Sequence, residues 1–121
     1  ADAWPADPEG ELLLMLQIET MEGVRNLDEI LSVPGIGTLF IGPNDLSYSL
    51  GVQGGAPEHE AAIQTILSGC QRHNVPCAIT VNAGNVAQRL QQGFRVVSLP
   101  SGGLQVQMDD ALRVAQEEMQ R

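Results

Sequence analysis

Residues 12–45 read LLLMLQIETMEGVRNLDEILSVPGIGTLFIGPND and contain two short apolar runs on either side of a helical pattern. The first run, 12–18, is almost continuously apolar and short, which is typical of a strand buried on both faces. Apolar residues in 21–31 recur with the 3.6-residue spacing of a helix face, and the second run, 38–41, predicts another strand. The stretch therefore predicts a strand–helix–strand unit, and a turn over 45–51 follows it.

The same alternation continues along the rest of the chain. The pattern predicts a helix at about 58–73, a strand at 76–81, a helix at 84–91, a strand at 95–99 and a helix at about 103–120. Four strand–helix units in series indicate an α/β protein with a parallel sheet, either doubly wound or part of a (βα)8 barrel. A complete barrel takes about 250 residues, so this chain would supply about four of its eight units. Residues 1–10 contain two prolines and read as an irregular lead-in.

The composition narrows the classes of function. The 121 residues suit one domain, and the net charge of −9 disfavours nucleic acid or an anionic membrane as a partner. No apolar run approaches the ~18–20 residues of a membrane span. The chain contains no lysine, which excludes a Schiff base with a carbonyl substrate. Two cysteines, Cys70 and Cys77, are too few for a disulfide scaffold, so we expect buried free thiols and a cytoplasmic protein.

Two acids follow directly after predicted strands. Glu19 ends the first strand and Asp45 lies just past the second, 26 residues later, which corresponds to one βα unit. Adjacent parallel strands are about 4.8 Å apart, so both carboxylates can converge at the carboxyl edge of the sheet. Two carboxylates together with water and substrate oxygens form a common Mg²⁺ or Mn²⁺ site. Helix capping is the alternative: Glu19 or Thr20 could cap the helix that follows, and Asp45 the turn after it.

The segment 16–51 resembles the metal-binding stretch of the HpcH/HpaI aldolases, which are metal-dependent class II pyruvate aldolases. The resemblance rests on Q-I-E-T at 17–20 and F-I-G-P-N-D-L-S at 40–47, and a weaker likeness continues through GFRVVSLPSGG at 93–103. It implies an enzyme of the 2,4-dihydroxyhept-2-ene-1,7-dioate or 2-keto-3-deoxy-rhamnonate aldolase type. It also implies that residues 1–121 form the carboxy-terminal half of a (βα)8 TIM barrel, with strands at about 12–18, 38–41, 76–81 and 95–99.

The resemblance also implies roles for individual residues. Glu19 and Asp45 would ligate Mg²⁺, Mn²⁺ or Co²⁺, and Gln17 would lie near the pyruvyl group. The backbone that would bind the pyruvate carboxylate belongs to Gly42, Pro43, Asn44 and Asp45. Because proline has no N–H, the donors there must be the amides of Asn44 and Asp45.

The implied reaction is aldol cleavage or addition of 4-hydroxy-2-oxo acids through a pyruvate enolate, with an aldehyde as the second partner. The family's catalytic histidine and substrate-binding arginine belong to the amino-terminal half of its barrel, and neither has a counterpart here. We therefore identify no catalytic residue in this chain and expect His59 and His73 to be solvated surface residues. Activity would require an amino-terminal half or another subunit, for which a homo-oligomer is one source.

Two other functions stay open. The chain could be a non-catalytic half-barrel that binds a divalent metal and pyruvate-like acids. It could also be a relative of the citrate lyase β-type proteins that act on acyl-CoA esters. The latter would need a basic surface for the CoA phosphates, which a chain of net charge −9 does not offer.

Overall fold

The computed structural model describes residues 9–100 and 105–120, which form one four-stranded parallel sheet with helices between the strands. The strands are β1 Met15–Ile18, β2 Thr38–Ile41, β3 Cys77–Thr80 and β4 Val96–Ser98. The helices are α1 Met21–Arg25, α2 Leu27–Leu31, α3 Pro43–Leu50, α4 Pro57–Arg72, α5 Val86–Gln92 and α6 Gln105–Met119. No helix among these residues is long and apolar enough to cross a membrane.

The strand order decides between the two architectures that the sequence leaves open. The strands lie side by side in the order β1-β2-β3-β4, and each pairs in parallel with the next along the chain. A doubly wound sheet reverses its strand order at a switch point, whereas a (βα)8 barrel advances in one direction. The α/β prediction of four units from a barrel is therefore confirmed.

Two predicted connections differ from the structure. The single helix expected over 21–31 is two short helices. The backbone angles of Asn26 between them, φ −94° and ψ 12°, depart from those of an α-helix. The turn expected over 45–51 is wrong: α3 occupies this segment. Pro43 starts α3 at its first position, where a missing N–H costs nothing, and Gly51 ends it with a left-handed φ of 70°.

The core lies between the sheet and its helices. Alternate strand residues point into it, including Leu39 and Ile41 of β2 and Ile79 of β3, and all three are almost completely buried. Arg89 links α5 to α4 in this layer. Its two terminal nitrogens donate to the two carboxylate oxygens of Glu60 on α4, at 2.6 and 2.7 Å.

The opposite face of the sheet has no helix layer among the described residues, and β1 shows the consequence. We expected β1 to be buried on both faces, but this is wrong, since Met15 is 45% and Leu13 just before it 67% exposed. The physical reason is that the side chains of Leu13 and Met15 point to the face opposite the core residue Ile18, where no helix of the described residues covers them. The continuous apolar run of β1 therefore has a solvated side.

The prediction for the two cysteines is confirmed. Cys70 and Cys77 are buried free thiols. The hydrogen bond with Cys70, followed by burial, raises the pKa of the Cys77 thiol. Most of the lead-in at 1–10 and the start of the last helix at 103–104 lie outside the described residues, and the assignment of the whole chain to one half-barrel domain stays a prediction.

Candidate functional site

An open cleft of about 210 Å³ lies at the carboxyl edge of the sheet, where parallel α/β folds form their sites. Its lining includes five of the six residues singled out from the sequence. These five and the two additional lining residues are Gln17, Gly42, Pro43, Asn44, Asp45, Phe40 and Thr80. The structure thus brings the end of β1, the start of α3 and the end of β3 to one place.

Glu19, the sixth residue, does not line the cleft but contacts Gln17, which does. The Gln17 side-chain amide donates a hydrogen bond of 2.5 Å to Glu19 Oε2. The register of β1 on β2 pairs Ile18 with Ile41, so the next residue on each strand brings Glu19 alongside Gly42. The Gly42 amide donates to the Ile18 carbonyl at 3.1 Å, which extends the ladder to this point.

Gly42 permits this close approach because it has no side chain. A Cβ at this position would lie 2.7 Å from Glu19 Oε2, 2.7 Å from Gln17 Nε2 and 2.9 Å from Glu19 Cβ. These separations are shorter than real Cβ contacts allow. Glycine at 42 is therefore required by packing against the Glu19 and Gln17 side chains, since its φ of −87° is open to any residue.

The first turn of α3 presents free donors to the cleft. Leu46 is the first residue whose amide bonds within the helix, to the Gly42 carbonyl at 2.9 Å. Among the described residues, no acceptor pairs with the amides of Asn44 and Asp45, and Pro43 has no N–H. A helix amino terminus with free N–H groups favours an anion such as a carboxylate.

The capping alternative is resolved for the first acid. Thr20 is the N-cap of α1, and its hydroxyl accepts from the Gly23 amide at 3.1 Å, so Glu19 is not used as a cap. Asp45 is the third residue of α3, and within the described part of the chain its carboxylate forms no hydrogen bond or ion pair. Both carboxylates are therefore available to a ligand.

The donor set at the cleft fits a hard divalent cation. Nowhere in residues 9–100 and 105–120 do three or more His, Cys, Asp or Glu side chains converge as a closed metal cage. An oxygen-only set of one or two carboxylates, completed by water and substrate oxygens, is the arrangement that Mg²⁺ prefers. Glu19 and Asp45 are the residues here that could supply it.

Three residues with a place at or near the site were missed in the sequence. Phe40 and Thr80 line the cleft, and alternation with the buried Ile41 and Ile79 could have identified both. The prediction of solvated histidines is wrong for His59, which is 5% exposed. His59 precedes Ala62 and Ile63 on the apolar face of α4 by three and four residues, and this spacing could have revealed its burial.

His73 is a milder correction. It ends α4 and keeps 25% of its side chain exposed, while its Nε2 lies 3.0 Å from Asp28 Oδ1. The Arg72 guanidinium and then His73 hold the pKa of the Asp28 carboxyl below its usual value. This surface cluster lies on α2 and the end of α4, away from the cleft residues.

Comparison with known proteins finds relatives by sequence and relatives by structure. Over 93 residues the chain is 36% identical to the 5-keto-4-deoxy-D-glucarate aldolase of Citrobacter koseri, an alignment that covers 74% of this chain and 36% of that protein. An HpcH/HpaI aldolase/citrate lyase family protein from Burkholderia cenocepacia superposes with a TM-score of 0.72 at 27% identity, covering 92% of this chain and 44% of its own.

A more distant structure shares the fold alone. The citrate lyase beta subunit of M. tuberculosis, complexed with oxaloacetate and magnesium, superposes with a TM-score of 0.70 at 15% identity, over 88% of this chain and 53% of that one. The chain thus spans about a third to a half of the lengths of these relatives.

The family model for HpcH/HpaI aldolase/citrate lyase matches residues 7–107, which includes both β-strand motifs and every residue of the cleft. The match extends over most of the chain and agrees with the strand order of a partial barrel. This chain belongs to the HpcH/HpaI aldolase/citrate lyase family.

Proposed function

We propose that this chain supplies the metal-binding and 2-oxo-acid-binding half of an aldolase that cleaves or forms 4-hydroxy-2-oxo acids. The observation that supports this most directly is the contact of Glu19 and Gln17 with Gly42, beside the free amides of Asn44 and Asp45. The acidic oxygens of Glu19 and the anion-binding donors of α3 therefore lie at the same end of the sheet, on either side of Gly42. A 2-oxo acid presents the matching pair of groups, an oxo oxygen and a carboxylate.

The carboxylates of Glu19 and Asp45 would hold the cation, and the donor chemistry suits Mg²⁺, Mn²⁺ or Co²⁺. When bound, a divalent cation would stabilise the negative charge that develops on the oxo oxygen of the substrate. The fold neighbour from M. tuberculosis, complexed with oxaloacetate and magnesium, is consistent with this proposal for the shared scaffold.

The remaining cleft residues would bind and orient the substrate. The amides of Asn44 and Asp45 would donate to its carboxylate, with the amino-terminal end of the α3 dipole adding a favourable field. Gln17 would fix the Glu19 carboxylate through its hydrogen bond and so reduce the freedom that binding must remove. Phe40 would form an apolar part of the wall.

The proton-moving group is proposed to come from outside this chain. An aldol step needs an acid or base for the substrate hydroxyl. The chain has no lysine, and no histidine lines the cleft. An amino-terminal half of the barrel or another subunit would supply this group, and the barrel interior left open beside β1 is where such a partner would fit.

Titration with Mn²⁺ tests the metal site on the purified 121-residue chain. We expect binding by the wild type, loss of binding in Glu19→Ala and in Asp45→Ala, and retention in Glu22→Ala, which removes an exposed acid of α1 only three residues from Glu19. Equal Mn²⁺ binding in wild type and Glu19→Ala would contradict the proposed site.

A coupled pyruvate-release assay with Mn²⁺, with and without EDTA, tests the activity. Since loss of a general acid–base group costs about 10²–10⁴-fold, we expect the isolated chain to cleave 4-hydroxy-2-oxo acids slowly. Addition of the amino-terminal half of a relative should then raise turnover if the chain belongs to a working lyase, whereas a non-catalytic half-barrel would bind without any gain. Turnover near 1 s⁻¹ by the chain alone would contradict the proposed need for a partner.

A further inference from the structure

The two ring nitrogens of His59 connect α4 to Gly55 and to Pro43 at the start of α3. His59 lies in the first turn of α4 and is 5% exposed. The Gly55 amide donates to Nδ1 at 2.9 Å, and Nε2 lies 2.8 Å from the Pro43 carbonyl oxygen.

These two contacts determine the tautomer of the ring. A backbone N–H can only donate, so Nδ1 must be the unprotonated acceptor. A carbonyl oxygen can only accept, so Nε2 must have the proton and donate it to Pro43. His59 is therefore a neutral imidazole with both nitrogens engaged, and it does not line the cleft, so it is not available to exchange a proton with a bound substrate.

The bond to Pro43 has a direct effect on the next residue. The Pro43 carbonyl and the Asn44 N–H belong to one planar trans peptide group and point in opposite directions. Fixing the carbonyl oxygen on the His59 side therefore fixes the direction of the Asn44 N–H on the other side. Asn44 lines the cleft, and its amide has no partner among the described residues.

We propose that His59 is a positioning residue that aims the Asn44 amide at the carboxylate of a bound 2-oxo acid. The identity of that ligand rests on the proposed function, whereas the coupling of His59 to the Asn44 peptide rests on the hydrogen bonds alone. A second long-range bond supports the other end of the same helix, where the Met21 amide donates to Ser49 Oγ at 2.9 Å. The first turn of α3 is held by the bond of the Pro43 carbonyl to His59 and by the backbone bond of Gly42 to Ile18, and only the former acts on the peptide group that contains the Asn44 amide.

Two substitutions of His59 distinguish the effect of its hydrogen bond to Pro43 from the effect of its hydrogen bond to Gly55. The amide nitrogen of glutamine can occupy the place of Nε2, so His59→Gln retains a donor to Pro43. The amide oxygen of asparagine can occupy the place of Nδ1, so His59→Asn retains the acceptor for Gly55 and loses the donor to Pro43. His73→Gln is the matched control, since His73 ends the same helix and contacts only Asp28 through its ring.

Two measurements test the proposal. Imidazole ¹⁵N spectra of the wild type should show the Nε2–H tautomer for His59, and the Asn44 amide resonance should shift in His59→Asn but stay near its wild-type position in His59→Gln and His73→Gln. With saturating Mn²⁺, pyruvate affinity should fall about tenfold in His59→Asn and less than about threefold in His59→Gln, because ligand-orienting partners typically affect affinity 10–100-fold.

The outcomes separate the inference from the proposed function. An Nδ1–H tautomer, an unmoved Asn44 amide in His59→Asn, or equal changes in the Asn and Gln variants would overturn the positioning role. Absence of pyruvate binding by the wild type would overturn the proposed function, while the tautomer and the Asn44 resonance would still decide on His59. If circular dichroism shows that His59→Asn does not fold, two other results test the positioning role. An Nε2–H tautomer in the wild type and an unmoved Asn44 resonance in His59→Gln would support it, and the opposite of either result would overturn it.

Discussion

Gly42→Ala is the substitution for which the structure gives the most specific expectation. The added Cβ would lie 2.7 Å from Glu19 Oε2, and ordinary contact begins at 3.4 Å, so the carboxylate must retreat by 3.4 − 2.7 = 0.7 Å. Metal–ligand distances tolerate about ±0.2 Å. The Glu19 Cβ, at 2.9 Å, must also move by 3.4 − 2.9 = 0.5 Å, and this atom is not the flexible end of a side chain.

We therefore expect Gly42→Ala to weaken Mn²⁺ binding about 10–100-fold, the range found when the support of a metal ligand is disturbed. The overpacking should also lower the free energy of unfolding by about 1–3 kcal/mol, measured by urea denaturation. Gly54→Ala is the matched control, because a Cβ there has nothing within 4 Å and should leave Mn²⁺ binding unchanged. The reasoning would be refuted if Gly42→Ala bound Mn²⁺ with wild-type affinity while Glu19→Ala did not bind it.

Three further predictions concern the scaffold. The hydrogen bond from Arg89 holds the pKa of the Glu60 carboxyl below its ordinary value of 4.5. The pair therefore stabilises the fold fully above pH 4.5, and this stabilisation is lost as the pH falls through the lowered pKa. Arg89→Met should therefore cost about 1–2 kcal/mol at pH 7, since solvent reaches part of the Glu60 side chain, and less as the pH falls through the lowered pKa of Glu60; a pH-independent difference in urea denaturation would contradict this. Cys70 and Cys77 are 0% and 2% exposed, so they should react with a thiol reagent only at the rate of unfolding, and rapid modification of the native protein would contradict their burial. The open face of the sheet should drive association, so light scattering at micromolar concentration should give at least twice the chain mass of 12.9 kDa, and a stable monomer would contradict it.

The sequence predicts the positions of the strands well because each is a short apolar run bounded by turn residues, although it does not show that the run of β1 has an exposed face. It predicts the carboxyl-edge position of Glu19 and Asp45 for the same reason. It does not reveal the register, which pairs Ile18 with Ile41 and so brings Glu19 alongside Gly42. Register depends on packing between residues distant in sequence, and no local pattern contains it.

The errors at α3 and His59 have a different origin, since local signals existed in both cases. Pro43 and Gly51 are at the positions where proline starts and glycine ends a helix, and these two residues could have predicted α3 in place of a turn. His59 shares the helical spacing of a buried face, but histidine is only intermediate in its preference for burial. A buried histidine with both nitrogens bonded can be identified only when Gly55 and Pro43 are seen around it.

The geometry of the site follows from two adjacent residues at the end of β2. Gly42 lets the side chains of β1 reach the backbone, and Pro43 starts a helix at once, so the first free amides point back over the same strand end. An extra residue between them would separate the carboxylate of Glu19 from the donors of α3 by about one strand step of 3.3 Å. The G-P pair thus places the Glu19 side chain and the free amides of α3 at the same end of β2, which is the arrangement that the proposed binding of a cation and a 2-oxo acid requires.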